Sequence, residues 1–102
     1  MAQADSGRVA IVGLGAVTPL GNDVPSSWEA LLAGRSGVER ITQFDPSALK
    51  TQIAAEVKRF DPCEYMERRE ARRVVRFVQF AVAAAQQAVA DAHFFLGVND
   101  VD

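Results

Sequence analysis

Residues 64–94, EYMERREARRVVRFVQFAVAAAQQAVADAHF, read as a helix from Glu64 to Phe94. Helical spacing sets Arg69, Arg72, Arg73 and Arg76 on one side and Ala71, Val74, Val75, Val78, Ala81, Val82 and Ala85 on the other, each set as i, i+3, i+4, i+7 neighbours. The second half carries Phe77 and Phe80 off the main apolar stripe and places Ala and Val at nearly every azimuth. A helix that is apolar all round needs burial on every side. One end thus offers a cationic ridge to something acidic, and the other calls for more surrounding protein than a short chain supplies. The chain reads as part of something larger.

Working outward, 102 residues make one ordinary domain, which would bury about 65% of its unfolded surface. At 49% apolar and 24% charged residues, neither disorder nor a fibrous class is favoured. The net charge of −2 is unevenly spread: Lys58 to Arg76 holds seven basic and four acidic residues, leaving the rest of the chain acidic. The opening MAQADSGR precedes too short an apolar run for a secretory segment, and no stretch approaches the ~20 apolar residues of a membrane span. A single cysteine, Cys63, permits no internal disulfide and suits a reducing compartment, so a cytoplasmic protein is expected.

Upstream, Arg8 to Val12 predicts a short, buried, central strand ending in a Gly13-Leu14-Gly15 turn, followed by a loop marked by Pro19 and Gly21. A helix is expected from Pro25-Ser26-Ser27, with Ser26 as cap and Glu29 completing a capping box. It should stop at Gly34 after Trp28, Leu31 and Leu32 have packed. A loop from Arg35 through Asp45-Pro46 leads to a second strand over Gln52 to Val57, and Asp61-Pro62 opens the long helical region. The order is strand, helix, strand, helix, an α/β unit.

The glycine loop does not fit dinucleotide binding: Thr18 holds the third glycine position, and Pro19 with Gly21 interrupts the place where the phosphate-binding helix would begin. No P-loop is present. Cys63 stands between Asp61 and Glu64, neighbours that oppose a thiolate, and His93 near the helix end has no ligand set beside it, so both read as structural.

The ordered set VAIVGLGAVTPLGNDVPSSWEALLAGRSGVERITQFD, IAAEVKRFDP and ERREARRVVRFVQFAVAAAQQAVADA resembles the β-ketoacyl-acyl carrier protein synthases over about residues 8 to 92. It is most similar to the type II elongating condensing enzymes of bacterial fatty acid synthesis, and polyketide ketosynthases share much of the pattern. The resemblance implies a thiolase-like layered α/β fold, incomplete on its own, a homodimer, and decarboxylative Claisen condensation between an acyl-enzyme and malonyl-carrier protein. It also implies that the chain is the N-terminal quarter of such an enzyme, without the nucleophilic cysteine and two histidines, which lie further along. The piece alone is therefore expected to be inactive, with no catalytic residue, cofactor or metal.

Within the resemblance, Cys63 occupies a variable, often acidic position after FDP, and His93 replaces the glycine of a usual DAGL helix ending. Val75 stands where the family usually has Asp, so a polar contact of the helix is expected to be missing. The tail, residues 93–102, diverges. Basic residues at the positions of Arg69, Arg72 and Arg73 contact the acidic recognition helix of the acyl carrier protein in that family, which makes these three the candidate carrier-protein-binding residues. Two other readings of the ridge are a solvated surface in which Glu67 and Glu70 pair with the arginines, and an autonomous module that binds an acidic protein. Nucleic acid is disfavoured by the net acidity and the lack of interleaved exposed aromatics, and no membrane partner is expected.

Overall fold

A computed structural model describes residues 7–93. Its elements run α1 (Val24–Leu32), β1 (Val38–Arg40), β2 (Ile53–Ala55), a 3-10 turn (Pro62–Glu64), α2 (Arg68–Ala71) and α3 (Arg76–Asp91). The strand, helix, strand, helix order is therefore corrected: the only sheet among the described residues is a two-stranded antiparallel pair, with Val38 opposite Ala55, Glu39 opposite Ala54 and Arg40 opposite Ile53. No described helix is long and apolar enough to cross a membrane.

The expected strand at residues 8–12 does not form. A strand requires a neighbouring strand for its ladder, and among the described residues none pairs with it; α3 lines one side through Ala88 and Val89, and Val9 is 93% and Ile11 82% exposed. The segment is anchored at its far end instead. Leu14 N–H donates to Asp91 Oδ2 at 3.0 Å and Ala16 N–H to Gln87 Oε1 at 3.0 Å, both on α3. Gly13 and Gly15 allow this approach, because a Cβ on either would collide with the α3 carbonyls of Ala88 and Ala84 respectively. The glycine loop thus serves backbone-to-helix packing, and two of its amides are already taken by side chains.

Helix α1 is capped one turn earlier than its serines suggested. Asp23 is the N-cap and accepts from Ser26 N–H at 2.8 Å and Ser26 Oγ at 2.6 Å, which leaves Ser26 as a helical residue supporting the cap. The stop at Gly34 holds: its φ of 72° suits glycine, and Gly34 N–H to Leu31 O and Arg35 N–H to Ala30 O, each 3.0 Å, close the helix end. Trp28, Leu31 and Leu32 do not pack as expected; all three are exposed, and α1 buries only Ala30. With Pro19, Leu20 and Val24, Trp28 and Leu31 line an open apolar groove.

Strand β2 lies inside the expected Gln52–Val57 stretch, but its partner β1 falls in what reads as loop. Alternating Val-Glu-Arg offers little apolar signal, and the pairing is reinforced by polar ties beyond the ladder. Lys58 Nζ donates to Gly37 O at 3.1 Å and Glu56 O at 3.0 Å and pairs with Glu39 at 3.4 Å. Glu56 accepts from Thr42 Oγ1 at 2.9 Å and Thr42 N–H at 3.1 Å, closing the connection. The Thr42 hydroxyl, then its amide, holds the Glu56 carboxyl below its ordinary 4.5. Hydroxyl and amide bonds from Ser26 and Ser47 likewise lower Asp23 and Asp45 below 3.8. Depressed carboxylates stabilise the fold above their unfolded values, and this support is lost as pH falls through the folded ones. The melting temperature is expected to drop on acidification below the ordinary Glu56 value of 4.5, and Glu56→Gln should flatten part of that drop; an equal slope in both proteins would count against it.

The core is slight. Among the described residues the buried side chains are Ala30, Pro46, Ala71 and Ala83, and no large side chain is fully buried. The Cα radius of gyration is 18.2 Å, against about 13 Å for a compact 100-residue domain. The expected need for further protein around the long helical region agrees with this: Phe77 is 74% exposed and Ala81, Ala85, Val89 and Ala90 all reach solvent.

Candidate functional site

The arginine-bearing region begins at Asp61, whose carboxylate accepts from Cys63 N–H at 2.9 Å and so starts the 3-10 turn behind Pro62. Aromatic packing then fixes the turn against α3. Phe60 stacks on Tyr65 with centroids 6.0 Å apart and meets Phe80 edge-on at 5.0 Å. Gln86 Nε2 donates to Tyr65 O at 2.8 Å, and Gln87 Nε2 reaches Tyr65 Oη at 3.0 Å and Asn22 O at 2.8 Å.

The continuous helix expected from Glu64 to Phe94 is corrected: the region is broken into separate elements. After the 3-10 turn, α2 covers only Arg68–Ala71, residues 72–75 belong to neither helix, and while Arg72 keeps helical angles as the C-cap, Val75 is extended with φ −75° and ψ 164°. The break separates the four arginines. Arg76 turns away: its guanidinium lies 4.9 Å from the Phe80 ring centroid, and Nη2 donates to Val57 O at 3.2 Å. Arg69 and Arg73 line one shallow groove with Glu67, Glu70 and Val74, and Arg72 stands exposed beside it as the C-cap of α2. Among the described residues no carboxylate lies within ion-pairing distance of Arg69, Arg72 or Arg73, although Glu67 and Glu70 share the groove with Arg69 and Arg73. Three exposed guanidiniums on a short turn can take up carboxylates by charge-assisted hydrogen bonds.

Both ends of α3 carry residues poorly suited to their place. Val75 is the N-cap and makes no side-chain capping bond, as the missing polar contact anticipated. His93 follows the C-cap Ala92 with φ 59°, and its N–H bonds Ala90 O at 3.1 Å, so it adopts the left-handed conformation that favours glycine. Val75→Asp and His93→Gly are each expected to raise unfolding free energy by about 1 kcal/mol, read by urea titration. No gain from either would show that these ends do not limit stability.

Cys63 is exposed on the 3-10 turn and His93 exposed beyond α3, and among the described residues neither side chain has a hydrogen-bond or ion-pair partner. Among the described residues, no group of three or more His, Cys, Asp or Glu could hold a metal ion. The tail beyond His93 lies outside the described residues. Gln79, Gln87 and Asp91, whose only signal in the sequence is polar character within an apolar helix, supply the side-chain ties to Ala71, Ala16 and Leu14.

Comparison with known proteins places this arrangement. Residues 6–96 match the family model "Beta-ketoacyl synthase, N-terminal domain". The chain is 42% identical over 102 residues to 3-oxoacyl-[acyl-carrier-protein] synthase 2 of Synechocystis sp., covering all of this chain and 24% of that protein. Against the protein of the same name from Coxiella burnetii it is 54% identical over 85 residues, 83% of this chain and 20% of that one. Among solved structures, the ishigamide ketosynthase/chain length factor superposes with a TM-score of 0.75 at 35% identity, over 83% of this chain and 21% of the other. The chain therefore spans about a quarter or less of the length of the relatives it matches. Mixed helices and strands, the glycine loop on α3 and a match across nearly its whole length agree: this chain belongs to the beta-ketoacyl synthase family, within the N-terminal domain.

Proposed function

We propose that these residues are the N-terminal portion of a 3-oxoacyl-acyl carrier protein synthase of fatty acid synthesis, contributing scaffold and a docking surface to a cytoplasmic homodimer. The complete enzyme joins an acyl group held as a thioester to the α-carbon of malonyl-carrier protein. The malonyl carboxylate leaves as CO2, the enzyme thiolate is released, and the new carbon–carbon bond yields a β-ketoacyl-carrier protein. The nucleophile and histidines for this step belong to parts of the enzyme other than Cys63 and His93. The observation that carries the reading is the likeness to two synthases of that name over 100% and 83% of this chain.

Arg69, Arg72 and Arg73 form the carrier-protein surface in this reading. Support comes from their exposure, with no ion-paired carboxylate among the described residues, and from the groove shared by Arg69 and Arg73. An assay with acyl- and malonyl-carrier protein tests the assignment of roles. No turnover is expected from the 102 residues alone, with saturable carrier-protein binding retained. Turnover would refute the placement of the catalytic groups elsewhere, and absent binding would refute the docking surface.

A further inference from the structure

We infer that Gln79 is a positioning residue for the basic surface: its side-chain amide holds the broken end of α2 against α3 and so sets where Arg72 and Arg73 stand. This rests on the docking reading above. The last carbonyls of a helix lack intrahelical partners. In an unbroken helix Ala71 O would accept from the N–H of Val75, four residues on. Val75 is extended here, and Gln79 Nε2 donates to Ala71 O instead, at 2.9 Å in a part-buried position. The backbone N–H of Gln79 bonds Val75 O at 3.2 Å, so one residue of the first α3 turn grips both sides of the break.

What this grip controls is the four-residue turn 72–75. Arg72 N–H bonds Arg68 O at 3.1 Å and Arg73 N–H bonds Glu70 O at 3.0 Å, which ties both arginines to α2. Among the described residues the hydrogen bond joining α2 to the first turn of α3 is the Gln79 bond, while Arg76 is committed to Phe80 and Val57. Ala71, whose carbonyl is gripped, is also the buried residue of α2. Without the amide, the Ala71 carbonyl loses its partner and α2 can swing on residues 72–75. The arginines would keep their charge and lose their common placement.

The test is carrier-protein affinity and its salt dependence in the full chain, for Gln79→Met and Gln79→Glu beside Arg72→Glu, with amide hydrogen exchange along α3. Gln79→Met removes the donor at similar size and unchanged charge, and is expected to weaken binding about fivefold to tenfold, the scale of one lost part-buried hydrogen bond. The slope of affinity on salt should flatten, since fewer arginines engage together, a change that mere loss of stability would not produce in the folded fraction. Gln79→Glu sets a carboxylate against the carbonyl and should weaken binding at least as much. Protection of α3 amides should be unchanged. If Arg72→Glu weakens binding while both Gln79 variants bind with the parent affinity and slope, the positioning role is overturned and the docking reading stands. If the Gln79 variants lose α3 protection in step with affinity, Gln79 maintains the helix and the positioning role is again overturned. If Arg72→Glu also leaves affinity untouched, the docking reading itself has failed.

Discussion

Reversing charge at Arg69 and Arg73 together is expected to weaken acyl carrier protein binding about a hundredfold at low salt, near tenfold for each position. These two side chains line the same groove and have no carboxylate partner among the described residues, so each substitution removes an available attraction and introduces a repulsion. Screening over a Debye length of ~10 Å at 0.1 M salt should shrink the difference between parent and variant as salt is raised. Arg76 supplies an internal contrast. Its guanidinium is engaged by Phe80 and Val57 O, so Arg76→Gln should lower stability and leave affinity nearly unchanged. Binding measured by fluorescence anisotropy across a salt series decides the matter: parent-like affinity in the Arg69/Arg73 double variant, or an Arg76 effect as large, would sink the assignment.

The second large effect concerns residues 9–12. Val9, Ile11 and Val12 are apolar, exposed and outside any helix or strand, and the described residues offer no neighbouring strand. Unpaired apolar strand-like segments recruit one another across chains. In sedimentation velocity the isolated chain is expected to form oligomers, and Ile11→Lys together with Val9→Lys should lower the mean mass severalfold by opposing such pairing. A parent chain that sediments as a discrete monomer would show that this surface is covered without a second molecule.

Legibility in the sequence followed the range of the forces involved. The α1 stop is local, a glycine at φ 72°, and it was readable, as was the mismatch at Val75. Strand β2 was readable from Ile53, Ala55 and Val57, while β1 was not, because Val38-Glu39-Arg40 is defined by its partner and by Lys58. The 72–75 break was invisible. Arg-Arg-Val-Val contains neither Pro nor Gly, and the signal for interruption is an amide side chain seven residues beyond Arg72. Residues 8–12 have the composition of a buried strand, but strand formation depends on pairing that composition alone cannot supply. For the candidate site, the helical spacing set Arg76 beside Arg69, Arg72 and Arg73, and its departure from them was not legible, since its destination, Val57 O, is 19 residues away.

The grip of α3 on the glycine loop also fixes an order of events during synthesis. Leu14 is separated by 77 residues from Asp91, which receives its amide. A ribosome adding about 5–20 residues per second needs several seconds to cross that interval, far longer than local helices take to form. Throughout it the apolar stretch before Gly13 has emerged with its helical dock still unmade. The two glycines that admit so close a seat therefore make residues 9–14 wait for α3, a period in which a chaperone would find Val9, Ile11 and Val12 free to hold.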